Sequence, residues 1–410
     1  MKTIVFIGVN KSGSSREAVK AAYQLGYHTV VFTNRKKQLE QRKEYTDVHQ
    51  LIFVDSFDID ILKENIRFLQ HRGHEIIVIT SFVDQLVYIA SSLADEFCHN
   101  YLSTDAIYIM ENKRETRQFF LNERFTPAYS IIEKDTQLPL KRLPKNLDYP
   151  VMVKCATSTG SKDVLFCDNL TDLQKNIAYL KERNIEETII IEEYIIGDQY
   201  LVEVLVYNEQ IFTAAVVQQE ITRGKRFIIT GYGVLAEVDD DLEQEIRNIV
   251  ESITASLNIK YGAYHLELRQ TEKGLKLIEI NPRISGGAMN KMIHAAFGYS
   301  LVEETIKMLI GEVPTLNKRI NNFVYTQHVT VKKKGVLEKV TGRAKARRTP
   351  GVVEVYVKPR RGTVLIPPMS MGHRYAYVIA IGDTMKKARK IAKEAAKLIK
   401  FHIINNDKEE

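Results

Sequence analysis

Cysteine is scarce in this sequence of 410 residues, and the cysteine positions follow no disulfide or metal-binding pattern. Cys98, Cys155 and Cys167 are an odd number, and no two of them are spaced as C-x-x-C. Disulfide frameworks and structural zinc sites need cysteines that pair at characteristic spacings. We therefore expect neither kind of site, and we expect the three thiols to be reduced and structural.

Long apolar runs and targeting signals are also missing. No run approaches the roughly 18 apolar residues that a membrane helix requires. The N-terminal residues MKTIVFIGVNKSG enter a strand too early for a secretory signal. No internal repeat or low-complexity linker interrupts the chain, and residues 405–410 have the composition of a frayed end. These absences predict a cytoplasmic protein without a membrane partner.

The composition is that of a globular protein, with 44% hydrophobic and 27% charged residues. A chain of this length exceeds one simple core, so we expect two or three packed domains. The net charge of +7 has a local source, because residues 331–361 contain eleven basic residues against Glu338 and Glu354. The basic residues of this block are Lys332, Lys333, Lys334, Lys339, Arg343, Lys345, Arg347, Arg348, Lys358, Arg360 and Arg361. Such a block attracts phosphate or acidic partners.

The N-terminal part alternates apolar strands with helices, a pattern that predicts a parallel sheet. Residues 3–9 and 29–32 are predicted strands with a helix between them. The turn after the first strand reads Gly8-x-Asn10-x-x-Gly13, a dinucleotide fingerprint that lacks its central glycine. The second strand also ends without the acidic residue that would hold a ribose. We therefore expect a Rossmann-like sheet without a dinucleotide cofactor.

The most informative stretch covers residues 261–287. Alternating runs at 263–268 and 275–280 flank a turn, which predicts a β-hairpin. Because successive side chains of a strand point to opposite faces, Glu267 and Glu279 can lie together on one face. An ordinary hairpin with solvated acids is the alternative for either glutamate taken alone.

Two carboxylates in a partly apolar setting repel one another unless a cation lies between them. Asn281 adds a neutral oxygen, and such hard ligands suit Mg²⁺, which takes its remaining ligands from water and phosphates. Arg283 would then face a metal-bound polyphosphate. The combined pattern E-x(11)-E-x-N-x-R, followed by Gly286-Gly287, favours the metal site.

The segment GAYHLELRQTEKGLKLIEINPRISGG resembles the metal-binding signature of the ATP-grasp superfamily and is similar to its carboxylate-amine ligases. Among these, the chain resembles the L-amino-acid (dipeptide) ligases of the bacilysin synthetase type. The resemblance implies an α/β ATP-grasp fold with a Rossmann-like pre-ATP-grasp domain at 1–104 and a central lid domain at 105–205. It also implies a linker helix at 112–124 and a domain at 206–410 that carries the metal site and a biotin-carboxylase-like C-terminal lobe. The implied cofactors are ATP and Mg²⁺, with Mn²⁺ as a substitute for Mg²⁺.

The resemblance also assigns phosphate-binding residues. Lys113, near the start of the linker helix, is expected to reach the α-phosphate of ATP. Lys154 ends a predicted strand and is the second nucleotide lysine, and the loop of small residues that follows it contains Ser161. The backbone N–H groups of such a loop can approach phosphate oxygens. Lys162-Asp163 departs from the family pattern at a position where a small residue is usual, although Lys162 can itself reach a phosphate.

An adenine ring needs a backbone donor and acceptor between apolar walls. By resemblance, the segment that begins at Glu192 is the adenine hinge, and the backbones of Glu193 and Ile195 face the base. The ribose hydroxyls are expected at Gln199, where the family commonly has a glutamate, because a carboxamide can both accept and donate. Asp198 is the alternative ribose contact.

Arg283 and Arg374 are the predicted catalytic residues. Arg283 is expected to hold an acyl phosphate and the tetrahedral oxyanion, since a planar guanidinium suits both. Arg374 lies in a tail that resembles the lobe wrapped around the site in biotin-carboxylase-like proteins. Asp84 is either a helix-start acid or a contact for a bound amino group. Glu203 either joins the metal face or forms a salt link.

The implied reaction is the ATP-dependent joining of two amino acids through an acyl phosphate, with release of ADP and phosphate. A carboxylase that uses bicarbonate shares every motif above, and a ligase that loads an acidic carrier protein would use the basic block at 331–361. The pI of about 9.0 also allows a nucleic-acid-binding protein. That class is not expected, because the only stacking aromatic in the block is Tyr356. A pseudo-enzyme is compatible with Gln199 and Lys162-Asp163, and the architecture is compatible with a homodimer.

Overall fold

The computed structural model describes residues 1–133, 136–156, 163–183, 188–223 and 227–404. Several predicted features lie outside these residues. They are Ser161, Lys162 and the tail at 405–410.

The N-terminal region is a helix-covered parallel sheet, as the alternating pattern predicts. Its elements are β1 (Lys2–Ile7), α1 (Ser14–Gln24), β2 (His28–Thr33), α2 (Lys36–Glu40), β3 (Gln50–Phe53), α3 (Ile59–His71), β4 (Glu75–Thr80) and α4 (Val87–Phe97). The strand order is β3-β2-β1-β4, and β1 and β2 are buried over almost their whole length. The carboxyl ends of neighbouring parallel strands share one edge of the sheet, so the loops after β1 and β4 lie side by side.

Two short helices lead into a small antiparallel sheet. The elements are α5 (Thr104–Glu111), α6 (Lys113–Phe119), β5 (Tyr129–Ile132), β6 (Val151–Cys155), β7 (Val164–Cys167), α7 (Leu170–Arg183) and β8 (Ile189–Glu193). The strand order is β5-β8-β6-β7. The apolar stripe of α7, which contains Leu173, Ile177 and Leu180, covers this sheet. We call it the lid sheet.

The predicted linker helix at 112–124 is too long. Its start is confirmed, because the Asn112 side chain caps α6 by accepting from the N–H groups of Arg114 and Glu115. The helix ends at Phe119, since the following residues form turns. The Thr126 hydroxyl donates to the carbonyl oxygen of Phe120 at 2.5 Å, a contact that a continuous helix would not allow.

The remaining chain forms two further antiparallel sheets. The first group of elements is β9 (Gln199–Tyr207), β10 (Gln210–Arg223), β11 (Phe227–Val234), α8 (Asp240–Ser256), β12 (Gly262–Thr271), β13 (Gly274–Asn281), α9 (Met289–Phe297), α10 (Leu301–Leu309) and β14 (Phe323–Val329). The second group is β15 (Gly335–Thr341), α11 (Arg343–Arg347), β16 (Val352–Val357), β17 (Val364–Leu365), β18 (Ala376–Gly382), α12 (Met385–Leu398) and β19 (Lys400–Ile404). Eight strands follow the order β13-β12-β9-β10-β11-β14-β18-β16, and β17-β15-β19 form a small separate sheet.

The eight-stranded sheet is buried on both faces along β9. Val202, Val204 and Val206 pack with α8, whereas Leu201 and Leu205 pack with α9, α10 and α1. This alternation follows from the two-residue period of a strand. The central strands are therefore held between two cores, and the hairpin of β12 and β13 is fixed at one edge of the sheet.

The three-part division at 1–104, 105–205 and 206–410 stays a prediction. Strand β9 crosses the second predicted boundary while remaining inside the large sheet. Among the described helices, none combines the length and the apolar composition that crossing a bilayer demands.

Candidate active site

The hairpin of β12 and β13 brings the predicted acidic pair together. Glu267 lies directly opposite Glu279 in the strand register, and His265 lies opposite Asn281. The register confirms the predicted hairpin and places both carboxylates on one face. All four side chains line a cavity of about 360 Å³, whose walls also include residues of the lid sheet.

The two carboxylates of the acidic pair have pKa values shifted in opposite directions. Loss of hydration, followed by the charge of Glu279, raises the pKa of Glu267 to about 7. The Glu267 oxygens accept from the side-chain amides of Gln219 at 3.3 Å and Gln199 at 3.1 Å. Loss of hydration is the largest influence on Glu279 and acts to raise its pKa as well, but the charges of Lys113, 3.3 Å away, and Lys154 together help to lower that pKa below its usual value. A cation between the two carboxylates would relieve their repulsion.

The donor set fits a hard divalent cation that takes few protein ligands. Within the described ranges, no group of three or more His, Cys, Asp or Glu side chains is arranged to hold a metal by itself. A metal here would therefore draw on two carboxylates, one amide oxygen and ligands from outside the protein. That division is typical of Mg²⁺ bound next to substrate phosphates.

His265 sets the orientation of the Asn281 amide. Its Nδ1 donates to the carbonyl oxygen of Arg283 at 2.8 Å, and its Nε2 lies 3.3 Å from Nδ2 of Asn281. Burial, followed by the charge of Arg283, lowers the pKa of His265 to about 4, so the ring is neutral. In a neutral ring whose Nδ1 donates, Nε2 accepts. The Asn281 amide nitrogen is thus engaged, and its oxygen is left for a metal.

Lys154 ends β6 beside the buried carboxylate of Glu192. The Lys154 Nζ lies 2.7 Å from one Glu192 oxygen, and Nε of Arg117 donates to the other at 2.8 Å. Burial alone would raise the pKa of Glu192, but the two cations lower it to about 2. Burial lowers the pKa of Lys154 to about 8 despite this partner. Two cations on one anion leave a positive wall that suits a phosphate.

The residues of the predicted hinge line the cavity. Glu193, Tyr194 and Ile195 all line the cavity, but the Glu193 side chain accepts from the N–H of Ala128 at 2.8 Å. The carbonyl oxygen of Ile195 accepts from Arg269 at 2.7 Å. Apolar side chains form the adjacent walls: Met152, Val164, Leu201, Phe227 and Ile278. An apolar surface beside a strand end suits a flat base.

Gln199 lines the cavity at the start of β9, whereas Asp198 is exposed and outside the lining. The Gln199 amide nitrogen donates to Gln219 at 2.6 Å and to Glu267 at 3.1 Å. Arg269 donates to the Gln199 amide oxygen. The carboxamide at the predicted ribose position is therefore connected to the acidic pair.

Arg283 forms an ion pair with Asp84 across two parts of the fold. The Nε atom of Arg283 lies 2.8 Å from Oδ1 of Asp84, and Nη2 donates to the same oxygen. Asp84 comes from the loop after β4, three residues before the first residue of α4 at Val87. The predicted role of Asp84 as a helix-start acid is therefore wrong. Its carboxylate reaches the cavity wall and holds the guanidinium there.

Glu203 on β9 takes neither of its two predicted roles. Its side chain is fully buried, and its two oxygens accept from the N–H of Ser285 at 3.1 and 3.2 Å. The Ser285 hydroxyl also donates to Glu203, while the Ser285 carbonyl oxygen accepts from the Ser14 hydroxyl at 2.5 Å. Burial raises the pKa of Glu203 to about 7. Glu203 thus fixes the loop after Arg283, which lines the cavity.

Arg374 lines the cavity from the C-terminal lobe. Its Nη1 donates to the carbonyl oxygen of Ile229 at 3.2 Å and to the hydroxyl of Tyr232 at 3.0 Å. Its Nε donates to the carbonyl oxygen of Met371 at 3.2 Å. Every partner is neutral, so this end of the cavity keeps a positive charge.

The basic block at 331–361 lies apart from the cavity. None of its described residues is part of the cavity lining. Arg360 pairs with Glu44 at 2.8 Å, and most of the other basic side chains are exposed. Its one described approach to the candidate site is through Lys358, whose Nζ donates to the carbonyl oxygen of Gly372 at 3.2 Å, two residues before Arg374.

Sequence reasoning missed several polar residues of this site, among them Arg117, Gln219, His265, Arg269 and Ser285. Two of them carry a readable signal, because His265 and Arg269 flank Glu267 at the two-residue spacing that places strand side chains on one face. The others reach the site through long-range contacts that local patterns do not encode.

Three family models match parts of the chain. The ATP-grasp N-terminal domain matches residues 19–97, and the ATP-grasp domain matches residues 147–291. The L-amino acid ligase C-terminal domain 2 matches residues 327–403. The acidic pair, Asn281 and Arg283 all fall within the second match, and Arg374 falls within the third.

Curated relatives and solved structures agree with these matches. An uncharacterized protein of Sinorhizobium fredii, y4rH, is 25% identical over 71% of this chain and 61% of its own length. The L-arginine-specific L-amino acid ligase of Bacillus subtilis is 23% identical over 54% of this chain. The match spans only 55% of that relative's own length. The crystal structure of an L-amino acid ligase from Bacillus licheniformis superimposes with a TM-score of 0.83 at 16% identity and covers 99% of both chains. That likeness shows a shared fold.

Proposed function

We propose that this chain, an ATP-grasp protein that ends in an L-amino acid ligase C-terminal domain, uses ATP to join the carboxylate of one amino acid to the amine of another. One observation carries the proposal. A single cavity is lined by an acidic pair with an amide oxygen, two lysines and three arginines, Arg269, Arg283 and Arg374. Such a cavity can hold a metal–polyphosphate and an activated acid side by side.

The ATP-grasp fold implies the use of ATP and a divalent metal. We assign Mg²⁺ as the metal, with Mn²⁺ as a substitute, and Glu267, Glu279 and Asn281 as the residues that would hold it. When bound, the metal would neutralise phosphate oxygens as they gain charge during phosphoryl transfer.

For the nucleotide, we propose the residue roles that the family resemblance implies. Lys113 and Lys154 supply positive charge to the phosphates, and Ser161 in the following loop stays a predicted phosphate contact. The Glu193 and Ile195 backbones would meet the base and Gln199 the ribose. Glu192 has a more specific role than the sequence suggests, because its carboxylate positions Lys154.

The proposed reaction has two steps. A carboxylate oxygen of the first amino acid attacks the γ-phosphorus of ATP, the bond to the β,γ-bridging oxygen breaks, and ADP leaves. The nitrogen of the second amino acid then attacks the acyl carbon, the bond from that carbon to the phosphate oxygen breaks, and phosphate leaves with the electron pair. The amine gives its proton to solvent. Arg283, held by Asp84 at the cavity wall, would stabilise the acyl phosphate and the oxyanion of the second step.

The test is turnover of the purified protein with ATP, Mg²⁺ and the twenty amino acids, singly and in pairs. ADP, phosphate and a new amide should form in equal amounts for at least one pair. Bicarbonate without an amine should give no ADP, which separates the ligase from a carboxylase. Absence of amide with every pair would contradict the proposal, and amide formed only on an added carrier protein would favour the carrier-loading alternative.

Glu279→Gln supplies the matched variant for this test. It removes one charge from the proposed metal site, and we expect turnover to fall by about 100-fold or more, since a catalytic metal contributes several kcal/mol. Glu272→Gln is the control, because Glu272 is exposed near the turn of the same hairpin. Near-full activity of Glu279→Gln would show that the metal assignment is wrong.

A further inference from the structure

We propose that Arg374 binds the carboxylate of the amine component, so that the second substrate must carry a free carboxylate next to its amine. This inference rests on the proposed function and names the class of its second substrate. It also gives Arg374 a role distinct from that of Arg283.

The hydrogen-bond partners of Arg374 leave its charge uncompensated. Nε and Nη1 donate to two carbonyl oxygens and to the Tyr232 hydroxyl, and the guanidinium carbon lies 5.5 Å from the centre of the Tyr232 ring. Among the described residues, no carboxylate forms an ion pair with Arg374, and no hydrogen bond from its Nη2 occurs. A half-buried guanidinium held by neutral groups is prepared for an anion.

The surroundings of Arg374 add to this positive potential. Burial, followed by the charge of Arg374, lowers the pKa of His328 well below its usual value, so that ring is neutral. Lys358 lies close enough that burial and then Arg374 lower its pKa too. The carboxylates that line the same cavity are engaged elsewhere, as Asp84 is by Arg283. We therefore expect a bound ligand to supply the negative charge that balances Arg374.

The position of Arg374 separates this anion from the transferring phosphoryl group. Arg374 contacts Ile229 on β11, whereas Glu267 lies on β12, three strand steps away in the order β12-β9-β10-β11. Adjacent strands are about 4.8 Å apart, so the backbones of β11 and β12 are on the order of 14 Å apart. Side chains bridge part of this interval, since Gln219 on β10 reaches Glu267 at 3.3 Å. Arg374 is therefore anchored three strands away from the acidic pair, whereas Arg283 lies two residues beyond Asn281 at the end of the hairpin.

A second amino acid would bind between Arg374 and Arg283, with its carboxylate toward Arg374 and its amine toward Arg283. With its carboxylate on Arg374, its amine points back along the cavity toward the acyl carbon at Arg283. Tyr232 and His328 stand beside it as a wall, with their rings 5.6 Å apart. A bicarbonate ion has no amine to present, and a carrier-protein thiol or amine has no adjacent carboxylate.

The experiment separates the two half-reactions. Hydroxylamine traps an acyl phosphate as a hydroxamate, so hydroxamate formation with ATP and the first amino acid reports activation alone. The second half-reaction is then compared for an amine-component amino acid and its primary amide, which differ only in the carboxylate. One charge-assisted contact corresponds to about a 10- to 100-fold difference, so the wild-type protein should prefer the acid by that factor in kcat/KM.

Arg374→Gln should remove this preference. In this variant, kcat/KM for the free amino acid should fall to near the value for the amide, because KM rises. The kcat/KM for the amide and the rate of hydroxamate formation should stay unchanged. Arg374→Lys should give an intermediate preference, and Lys386→Gln, which changes an exposed cation outside the cavity lining, should alter the preference by less than about twofold. ADP affinity and the thermal midpoint report whether each variant is folded.

Three results would overturn the inference. The wild-type protein could use the amide as well as the acid, a comparison that needs no variant. Arg374→Gln could lower the rate of hydroxamate formation, which would place Arg374 on the phosphoryl group. It could also lower kcat/KM for the free amino acid and for its amide by the same factor. Absence of hydroxamate with every amino acid would instead mean that the proposed function itself has failed, and this inference would fail with it.

Discussion

At the scale of single residues, His265 is a positioning residue for the proposed metal site. It contacts Asn281 across the hairpin and is held in turn by the Arg283 carbonyl group. Partners of this kind fix the orientation of a metal ligand, and their loss typically weakens metal binding by about 10- to 100-fold.

Two substitutions at His265 separate its two hydrogen bonds. Asparagine can reproduce the donor at Nδ1, whereas glutamine can reproduce the acceptor at Nε2 that contacts Asn281. We expect His265→Asn to weaken Mn²⁺ binding in the presence of ADP by roughly 10-fold, and His265→Gln to retain most of it. Electron paramagnetic resonance of free Mn²⁺ measures both affinities without turnover. Wild-type affinity in both variants would mean that Asn281 does not need His265.

Lys154 makes nucleotide affinity dependent on pH. Its pKa in the free protein is lowered to about 8, mainly by burial, and a bound polyphosphate would raise it. Because the bound state holds the proton more tightly, ADP affinity should fall as the pH rises through 8 and above. Calorimetric titration with ADP between pH 7 and pH 9.5 should show this loss, and Lys154→Arg, which stays charged, should flatten it. A flat profile in the wild-type protein would contradict the assignment of Lys154.

At the scale of elements, the linker between β8 and β9 is held against β12 at three points. The Ile195 carbonyl accepts from Arg269 at 2.7 Å, and the Asp198 carbonyl accepts from the Gln270 N–H at 2.8 Å. Between them, Gly197 has φ of 146° and passes so close that a Cβ would lie 1.6 Å from the Gln270 carbonyl oxygen. Only glycine permits this approach.

Gly197→Ala should therefore displace the hinge. We expect ADP affinity to fall by about 10-fold or more and the protein to lose roughly 1–3 kcal/mol of stability, because the strained contact must open. Gly26→Ala is the matched control, since Gly26 has φ of 88° but no atom within 4 Å of its added Cβ. It should lose about 1 kcal/mol and keep its ADP affinity. Equal ADP affinity in both variants would argue against the hinge as the base-binding element.

The sequence predicts elements well where one local pattern decides. Alternation across 263–268 and 275–280 is enough to pair Glu267 with Glu279, because the strand period and the turn together determine the face. It fails for the helix at 112–124, which ends early because Thr126 folds back on Phe120. It also fails for Asp84 and Glu203, whose partners lie 199 and 82 residues away in the chain. Local periodicity contains no information about such partners.

At the scale of the whole molecule, the N-terminal sheet closes one end of the cavity. The first residue of α1, Ser14, donates its hydroxyl to the Ser285 carbonyl oxygen, and the loop after β4 brings Asp84 to Arg283. Gly13 lies against Gly287 so closely that a Cβ on Gly13 would be 2.8 Å from the Gly287 nitrogen. The Rossmann-like sheet thus supplies residues to the end of the cavity proposed for the activated acid, while the proposed nucleotide site lies between the lid sheet and the large sheet.

This arrangement orders the proposed reaction along one cavity. Metal and phosphates would lie at the hairpin, the activated acid at Arg283, and the amine component toward Arg374. An acid activated in this order transfers one of its own carboxylate oxygens to the departing phosphate.

The most direct test of this account is therefore the fate of that oxygen. The protein is incubated with ATP, Mg²⁺ and an amino-acid pair whose acid component carries ¹⁸O in its carboxylate, and the released phosphate is analysed by mass spectrometry. We predict one ¹⁸O atom in each phosphate released, with ADP as the nucleotide product. Unlabelled phosphate, or release of AMP and pyrophosphate, would contradict an acyl-phosphate ligase.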